Sequence, residues 1–304
     1  MDFKSKIILI SGPTASGKST FAIKLAKKLN GEIINADSMQ VYKQLQILSA
    51  RPDQKKYQKI NHHLYGFHDV KKNFSVGNWL KLVFKKIEEI KRRKKTPILV
   101  GGTGLYFKGL INGLVKIPNI PINIRNQIRA HQLRIGQKQF YKKLLELDPA
   151  SKNKINPTDS HRSIRAYEVK FYTKKSIHEW HKSTKSNFQQ VDFYKIYIDF
   201  PRMQLIERIN LRSKEMIKNG AVKEVKNFIK LKVRKDKSVN KAIGIKEIMQ
   251  YLNNEKELEE IIENISIKTR QYAKRQRTWA KSNMSSWLKS VSYTHLTLPT
   301  KQAV

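Results

Sequence analysis

Ile7-Ile8-Leu9-Ile10-Ser11-Gly12-Pro13-Thr14-Ala15-Ser16-Gly17-Lys18-Ser19-Thr20 decides the architecture of this chain. The four aliphatic residues read as a buried strand, and Phe21 to Leu29 repeats apolar residues at helical spacing. Between them, Gly12-x-x-x-x-Gly17-Lys18-Ser19 fits a phosphate-binding loop, with strand, loop and helix in the order the motif requires. The glycines let successive N–H groups turn inward, and the helix adds its positive amino end, so a phosphate is held by fixed dipoles. Lys18 supplies a full charge, and Ser19 a hydroxyl suited to Mg²⁺. The loop leaves the bound compound open, because nucleotide hydrolases, small-molecule kinases and some transferases share it.

With 304 residues the chain can bury a substantial core in one large domain or two smaller ones. It has no cysteine, which rules out disulfides and Cys-ligated metal and suits a reducing compartment. Only four apolar residues separate Met1-Asp2-Phe3-Lys4-Ser5-Lys6 from the loop, too few for a signal peptide or a membrane span. A soluble cytoplasmic protein without membrane association is expected. Lys and Arg number 62 against 24 Asp and Glu, a formal net charge of +38. That sign attracts polyanions. Because the Lys, Ile and Asn bias also suits an AT-rich genome, placed arginines are more informative than the bulk charge.

Glu32 to Ala36 reads as a second strand after a helix stop at Gly31, and it ends at Asp37-Ser38-Met39-Gln40. A carboxylate at the carboxyl end of a strand beside a phosphate loop sits where open α/β sheets place their sites. Asp37 is therefore the candidate for a base or a metal-associated acid, although an Asx-type cap would use the same residue. His62-His63 and His68 lack metal-ligand spacing and read as polar or structural groups. Val76 to Lys91 predicts a helix, and Ile98-Leu99-Val100 a third strand that closes with Gly101-Gly102-Thr103-Gly104. This places Thr103 in the crevice of Lys18 and Asp37. Arg270, Lys274, Arg277 and Lys281 fall on one stripe of a basic helix, with Tyr272, Gln276 and Trp279 on the adjacent face.

Taken together, Ser11 to Thr20, Ala36-Asp37-Ser38, Ala50-Arg51-Pro52, His62-His63-Leu64 and Val100 to Tyr106 resemble successive motifs of the bacterial tRNA dimethylallyltransferases. The resemblance continues through Asp148-Pro149, Pro157-x-Asp159, Arg162-x-x-Arg165-Ala166-x-Glu168, Gly244 and Thr269 to Trp279, covering roughly residues 5 to 288. Two departures stand out: Leu48-Ser49 precedes Ala50 where the family tends to have Gly-Thr, and Ile245 follows Gly244 where it tends to have an aromatic.

The resemblance implies an α/β fold, a P-loop NTPase-like parallel sheet core flanked by helices. That core would span 1–115 and 196–291, with a helical insertion at 116–195 for the tRNA anticodon arm. It implies an enzyme that moves a dimethylallyl group from dimethylallyl diphosphate to N6 of adenosine 37, beside the tRNA anticodon; a monomer is expected. The diphosphate would be held by Gly12, Pro13, Thr14, Ala15, Ser16, Gly17, Lys18 and Ser19, with Mg²⁺ near Ser19. Catalysis would fall to Asp37, Thr103 and Lys18. In the core, Asp37, Ser38, Met39, Gln40 and Thr103 would contact the tRNA, with Lys241, Ala242, Ile243, Gly244, Ile245 and Lys246 and the helix residues Arg270 and Arg275. In the insertion those contacts would come from Arg125, His161, Arg162, Ser163, Ile164 and Arg165. Ser292 to Val304 loses both the compositional bias and the resemblance and is read as a non-native or disordered tail.

Overall fold

In a computed structural model, residues 6–57, 59–182, 184 and 186–290 are described. The tail at 292–304 lies outside them. The strands are β1 (Ile7–Ser11), β2 (Gly31–Asn35), β3 (His62–His63), β4 (Thr96–Gly101), β5 (Phe193–Ile198) and β6 (Leu288–Ser290). They form one six-stranded sheet in the order β3-β2-β4-β1-β5-β6, every pairing parallel. The helices are α1 (Lys18–Leu29), α2 (Val76–Arg92), α3 (Gly104–Asn112), α4 (Ile122–Leu147), α5 (Ser160–Thr173), α6 (Ile177–Lys182), α7 (Arg202–Lys218), α8 (Ala221–Lys230), α9 (Ile245–Leu252) and α10 (Leu258–Asn283). The α/β core expected from the phosphate loop is present.

A parallel sheet must be covered on both faces, and β1 shows how a short aliphatic run meets that demand. Alternate side chains leave opposite faces. Ile7 and Leu9 join Trp79, Val83 and Ile87 of α2 and Phe107 and Leu110 of α3. Ile8 and Ile10 join Phe21, Ala22 and Leu25 of α1. Trp79 is fully buried, donates Nε1–H to the Asn35 carbonyl at 2.8 Å and stacks on Tyr106, so its polar edge is satisfied inside the core. A further cluster joins Val41, Leu45 and Leu48 to α8, α9 and α10 through Val225, Phe228, Ile245, Ile248, Ile261 and Ile265.

Local differences from the sequence expectation have simple causes. Asn30, in the left-handed region at φ 48°, caps α1, and Gly31 is already the first residue of β2. Asn tolerates that conformation through its short polar side chain, so the cap falls one residue before the glycine. The chain divides into two compact units, residues 1–111 with 188–304, and residues 112–187. The second unit contains α4, α5 and α6. Phe193 to Lys195, inside the 116–195 span expected for the insertion, belong to β5 and pair with Ile7 to Leu9 of β1. Within the second unit, Gly136 interrupts α4 at φ 76°, and Leu144, Ile155 and Ala166 form a small core. Buried Asp148 accepts hydrogen bonds from the hydroxyls of Ser151 and Ser176.

At the amino end of β2, Glu32 carries a buried carboxylate. Its oxygens meet Arg93 at 2.7 Å, His63 at 2.6 Å, Lys95 at 3.2 Å and Asn61 at 3.2 Å. Burial disfavours the charge, but hydrogen bonds from Arg93, His63, Lys95 and Asn61 outweigh it and hold the pKa at about 2 instead of 4.5. A lowered carboxylate pKa stabilises the fold above the unfolded value, and the gain is lost as pH falls through the folded one. Glu32→Gln should therefore cost about 3 kcal/mol at neutral pH, read from the urea midpoint at unchanged slope. That deficit should shrink between pH 4.5 and about 2. A deficit that stays constant down to pH 2 would contradict the assignment.

Candidate active site

The phosphate loop turns as its sequence requires. Gly17 caps α1 at φ 83°, a conformation that a Cβ would strain, and Ala15 also lies at positive φ, 64°. Lys18 opens the helix and donates Nζ–H to the Pro13 carbonyl at 3.2 Å. Ser16 Oγ is buried inside the loop without a hydrogen bond. Two side chains from distant sequence brace the loop. The Thr14 N–H donates to Gln276 Oε1 of α10 at 2.8 Å, and Arg212 Nη2 of α7 donates to Thr14 Oγ1 at 2.8 Å. Gln276 Nε2 donates in turn to the Gly102 carbonyl at 3.0 Å, which ties the loop to the turn after β4. Gly101 lies so close to the Ala36 backbone that any Cβ would collide with it.

A cavity of about 700 Å³ opens over the loop, walled by Thr14, Ala15, Gly17, Lys18 and Ser19 and by Asp37 to Gln40 after β2. The remaining wall comes from Leu48, Ser49 and Ala50, from Arg208, Leu211, Arg212, Glu215 and Met216 of α7, and from Lys241, Ala242, Ile243, Thr269, Tyr272 and Arg275. Lys18, Arg208, Arg212, Lys241 and Arg275 therefore face Asp37 and Glu215, a cationic excess suited to an anionic ligand. Burial lowers Lys18 to about 8, opposed by Asp37 and reinforced by Arg212. Burial lowers Arg212 as well, and Asp37 opposes that shift.

Asp37 forms the Asx turn that its sequence context allowed and lines the cavity as well. Its Oδ1 accepts from the Met39 N–H at 2.9 Å, an Asx turn, while its own N–H donates to Asn35 Oδ1 at 2.9 Å. The turn uses one carboxylate oxygen and leaves Oδ2 to the cavity. Thr103 departs from expectation. Instead of lining this cavity, it stands in a hollow of about 280 Å³ that shares Ser38, Tyr272 and Arg275 with it. Thr103 Oγ1 accepts from the Ser38 N–H at 2.9 Å, since the turn after β4 delivers it beside the segment after Asp37. Tyr272, between the two hollows, has its pKa raised by burial and by Asp37.

Other expected residues separate by location. Lys241, Ala242 and Ile243 line the cavity, whereas Ile245 is buried among the helices and Lys246 is exposed. Gly244 caps α9 at φ 105°. Arg270 pairs with Glu263 at 2.8 Å and Asn210 at 2.8 Å, and Arg277 meets Asp199 at 3.5 Å, so half of the basic stripe is engaged within the fold. Arg275, off that stripe, reaches both hollows. In the unit at 112–187, Arg125 and Arg165 meet Glu168 and Arg162 meets Asp159, while Ser163 is buried. His63 is bound to Glu32 and His62 stacks on Tyr57 at 3.7 Å, which supports their structural reading.

Sequence reading missed Arg208, Arg212 and Glu215, although their i, i+4 and i+7 spacing puts them on one face of α7. It also missed Glu224 of α8. Its carboxylate accepts from the N–H groups of Gln46, Ile47 and Leu48 at 2.8, 2.9 and 3.0 Å and so holds the turn that carries Leu48 to Ala50 into the wall. No group of three His, Cys, Asp or Glu among the described residues could hold a metal by itself. Ser19 and Asp37 in one wall are oxygen donors of the kind Mg²⁺ accepts alongside substrate phosphates, so the donor set fits that ion.

Comparisons with known proteins assign the chain to a family. The family model described as IPP transferase matches residues 40–283. The chain is 62% identical over 289 residues to a tRNA dimethylallyltransferase of Pelagibacter ubique, covering 95% of this chain and 92% of that one. It is 42% identical over 293 residues to the enzyme of that name in Rickettsia massiliae, covering 96% and 80%. Among solved structures, a tRNA isopentenylpyrophosphate transferase from Bacillus halodurans superposes with TM-score 0.67 at 34% identity, covering 94% and 90%. A eukaryotic dimethylallyltransferase acting on tRNA superposes with TM-score 0.82 at 30% identity, covering 96% and 75%. A phosphate loop, a carboxylate and a cationic cavity on one sheet edge thus coincide with sequence identity along nearly the whole chain, which belongs to the tRNA dimethylallyltransferase (IPP transferase) family.

Proposed function

We propose that this cavity carries out the family reaction, transfer of a dimethylallyl group from dimethylallyl diphosphate to N6 of adenosine 37 of tRNA. The observation that carries the reading is the single wall in which Lys18, Ser19 and the cationic groups of α7 and α10 meet Asp37. Breaking the allylic C–O bond builds negative charge on the departing diphosphate. The loop N–H groups, Lys18 and Arg212 oppose that charge where it develops. Ser19 would help to hold Mg²⁺, which would supply further charge neutralisation.

The adenine amine is a weak nucleophile, because its lone pair is delocalised into the ring. As the C–N bond forms, N6 must lose a proton, and Asp37 Oδ2 takes it. Oδ1, held by the Met39 N–H, keeps the carboxylate oriented. Thr103 acts from the neighbouring hollow through Ser38, whose N–H it holds, and so positions the segment after Asp37 against the incoming amine. Adenosine 37 must leave its stack to reach this depth, with Lys241, Arg275 and the segment from Ser38 to Gln40 around it. We further assign the diphosphate to the loop from Gly12 to Ser19 and the anticodon arm to the unit at 112–187. No helix among the described residues is long and apolar enough to cross a membrane. We place the reaction in the cytoplasm, where tRNA resides, and in a monomer.

Incubation with Mg²⁺, dimethylallyl diphosphate and unmodified tRNA should add one dimethylallyl mass to adenosine after digestion. ATP hydrolysis without prenylation would overturn the reading. Lys18→Ala and Asp37→Asn should each lower turnover about a hundredfold or more with tRNA still bound. Lys18 must be protonated to bind diphosphate, so kcat/KM for the donor should fall by about tenfold per pH unit above pH 8. Lys18→Arg, which stays charged, should be slower and lack that alkaline limb. A limb unchanged in Lys18→Arg would assign it to another group.

A further inference from the structure

The unit at 112–187 holds a charge cluster remote in sequence from the residues that wall the cavity. Glu168 of α5 has a side chain 1% exposed, and three guanidiniums converge on it. Arg125 Nε lies 3.4 Å from Oε2, Arg129 Nε 3.4 Å from Oε1, and Arg165 Nη1 3.4 Å from Oε2. Arg125 and Arg129 are one turn apart on α4, and Arg165 is one turn before Glu168 on α5. Three cations around one anion leave two positive charges uncompensated.

As a device for joining two helices, the cluster is poor. A buried carboxylate stabilises a fold only when its geometry is excellent and its lone pairs are filled. Here every ion pair is long, and Glu168 Oε1 and Arg125 Nε are buried without a hydrogen bond. One cation would have neutralised Glu168; the second and third repel each other at close range. The arrangement makes sense once an anion is added. Arg125 and Arg129 approach Glu168 through Nε, so the terminal nitrogens of both remain for a second oxyanion. The side chains of Arg125, Arg129 and Arg165 are 35%, 41% and 41% exposed, which gives that anion access. Phosphate oxygens match such a planar donor edge.

Arg125 and Arg165 are tRNA contacts expected from the family; we propose that Glu168 is the positioning residue that presets them, and adds Arg129 to them, as a receptor for a backbone phosphate of the bound tRNA. This rests on tRNA being the substrate, as argued above. The cost of ordering three long side chains is met in the folded protein before the RNA arrives, which favours binding.

Glu168→Gln and Arg129→Gln, made in the full chain, test the proposal by tRNA binding across a salt series and by steady-state kinetics. Glu168→Gln removes a negative charge from an RNA-binding face, so bulk electrostatics alone would tighten binding. Positioning predicts the opposite sign: tRNA Kd and KM rise about tenfold, while kcat at saturating tRNA and the KM for dimethylallyl diphosphate stay within about twofold. Arg129→Gln, at a half-exposed residue, should weaken tRNA about fivefold and lower the log–log salt slope by about one. Binding by Glu168→Gln as tight as the parent, or an unchanged slope in Arg129→Gln, overturns the proposal. A parent chain that binds tRNA without prenylating it would instead sink the transferase reading and leave this receptor standing.

Discussion

Parallel pairing of β1 between β4 and β5 is the constraint on which everything else in this molecule depends. Its register aligns Ser11 with Gly101 on one side and with Tyr197 on the other, so three strands end together. Each ending is followed by a turn, and these turns carry the phosphate loop, the Gly101 to Gly104 segment and the approach to α7. β2 ends beside β4 in the same sense, at Asn35 against Val100, and delivers Asp37. In a parallel sheet all carboxyl ends share an edge, and the site follows from that geometry.

The edge alone would leave the loops free to splay. Gln276 prevents this by accepting from the Thr14 N–H and donating to the Gly102 carbonyl, so one amide spans two loops. Arg212 adds a second brace at Thr14 Oγ1. Both residues come from the helices after β5, and Ile209 and Leu205 of α7 pack with Ala273 of α10 to hold those helices together. Glu224 performs a comparable service for the turn at 46–50 by accepting three backbone N–H groups. The cavity is therefore rigid for the same reason that it is charged: its ionic and amide groups are also its fasteners. That arrangement suits a reaction in which charge develops on a leaving diphosphate, because donors already in place need not reorganise.

Buried carboxylates recur as organisers of cationic side chains. Glu32 gathers Arg93, Lys95 and His63 with short contacts and full hydrogen bonding, a structural use. Glu168 gathers three arginines with long contacts and unfilled lone pairs. The difference between the two clusters, completed against uncompleted, is what separates a stabilising element from a receptor in a chain of net charge +38.

Much of this was legible in the chain itself. The strand, loop and helix of the phosphate motif, the carboxylate at the end of β2 and the glycine turn after β4 are all local patterns of period, punctuation and turn chemistry. Local patterns of this kind specify which residues end a strand, and a parallel sheet brings such ends together. Thr103 was placed one hollow away from its expected position, because a turn's exit direction depends on what it packs against. The basic stripe of α10 was legible as a stripe, but not the engagement of Arg270 and Arg277 by Glu263 and Asp199. Arg212, Gln276, Glu224 and Glu168 acquire their roles from partners far away in sequence or on another helix. The sequence by itself determined the α/β core, the phosphate loop and the family; only the tertiary structure decided which charges line the cavity and which are paired. The physical reason is that backbone periodicity is a short-range property, whereas the pairing of a charge depends on which side chains the completed fold brings within a few ångströms of it.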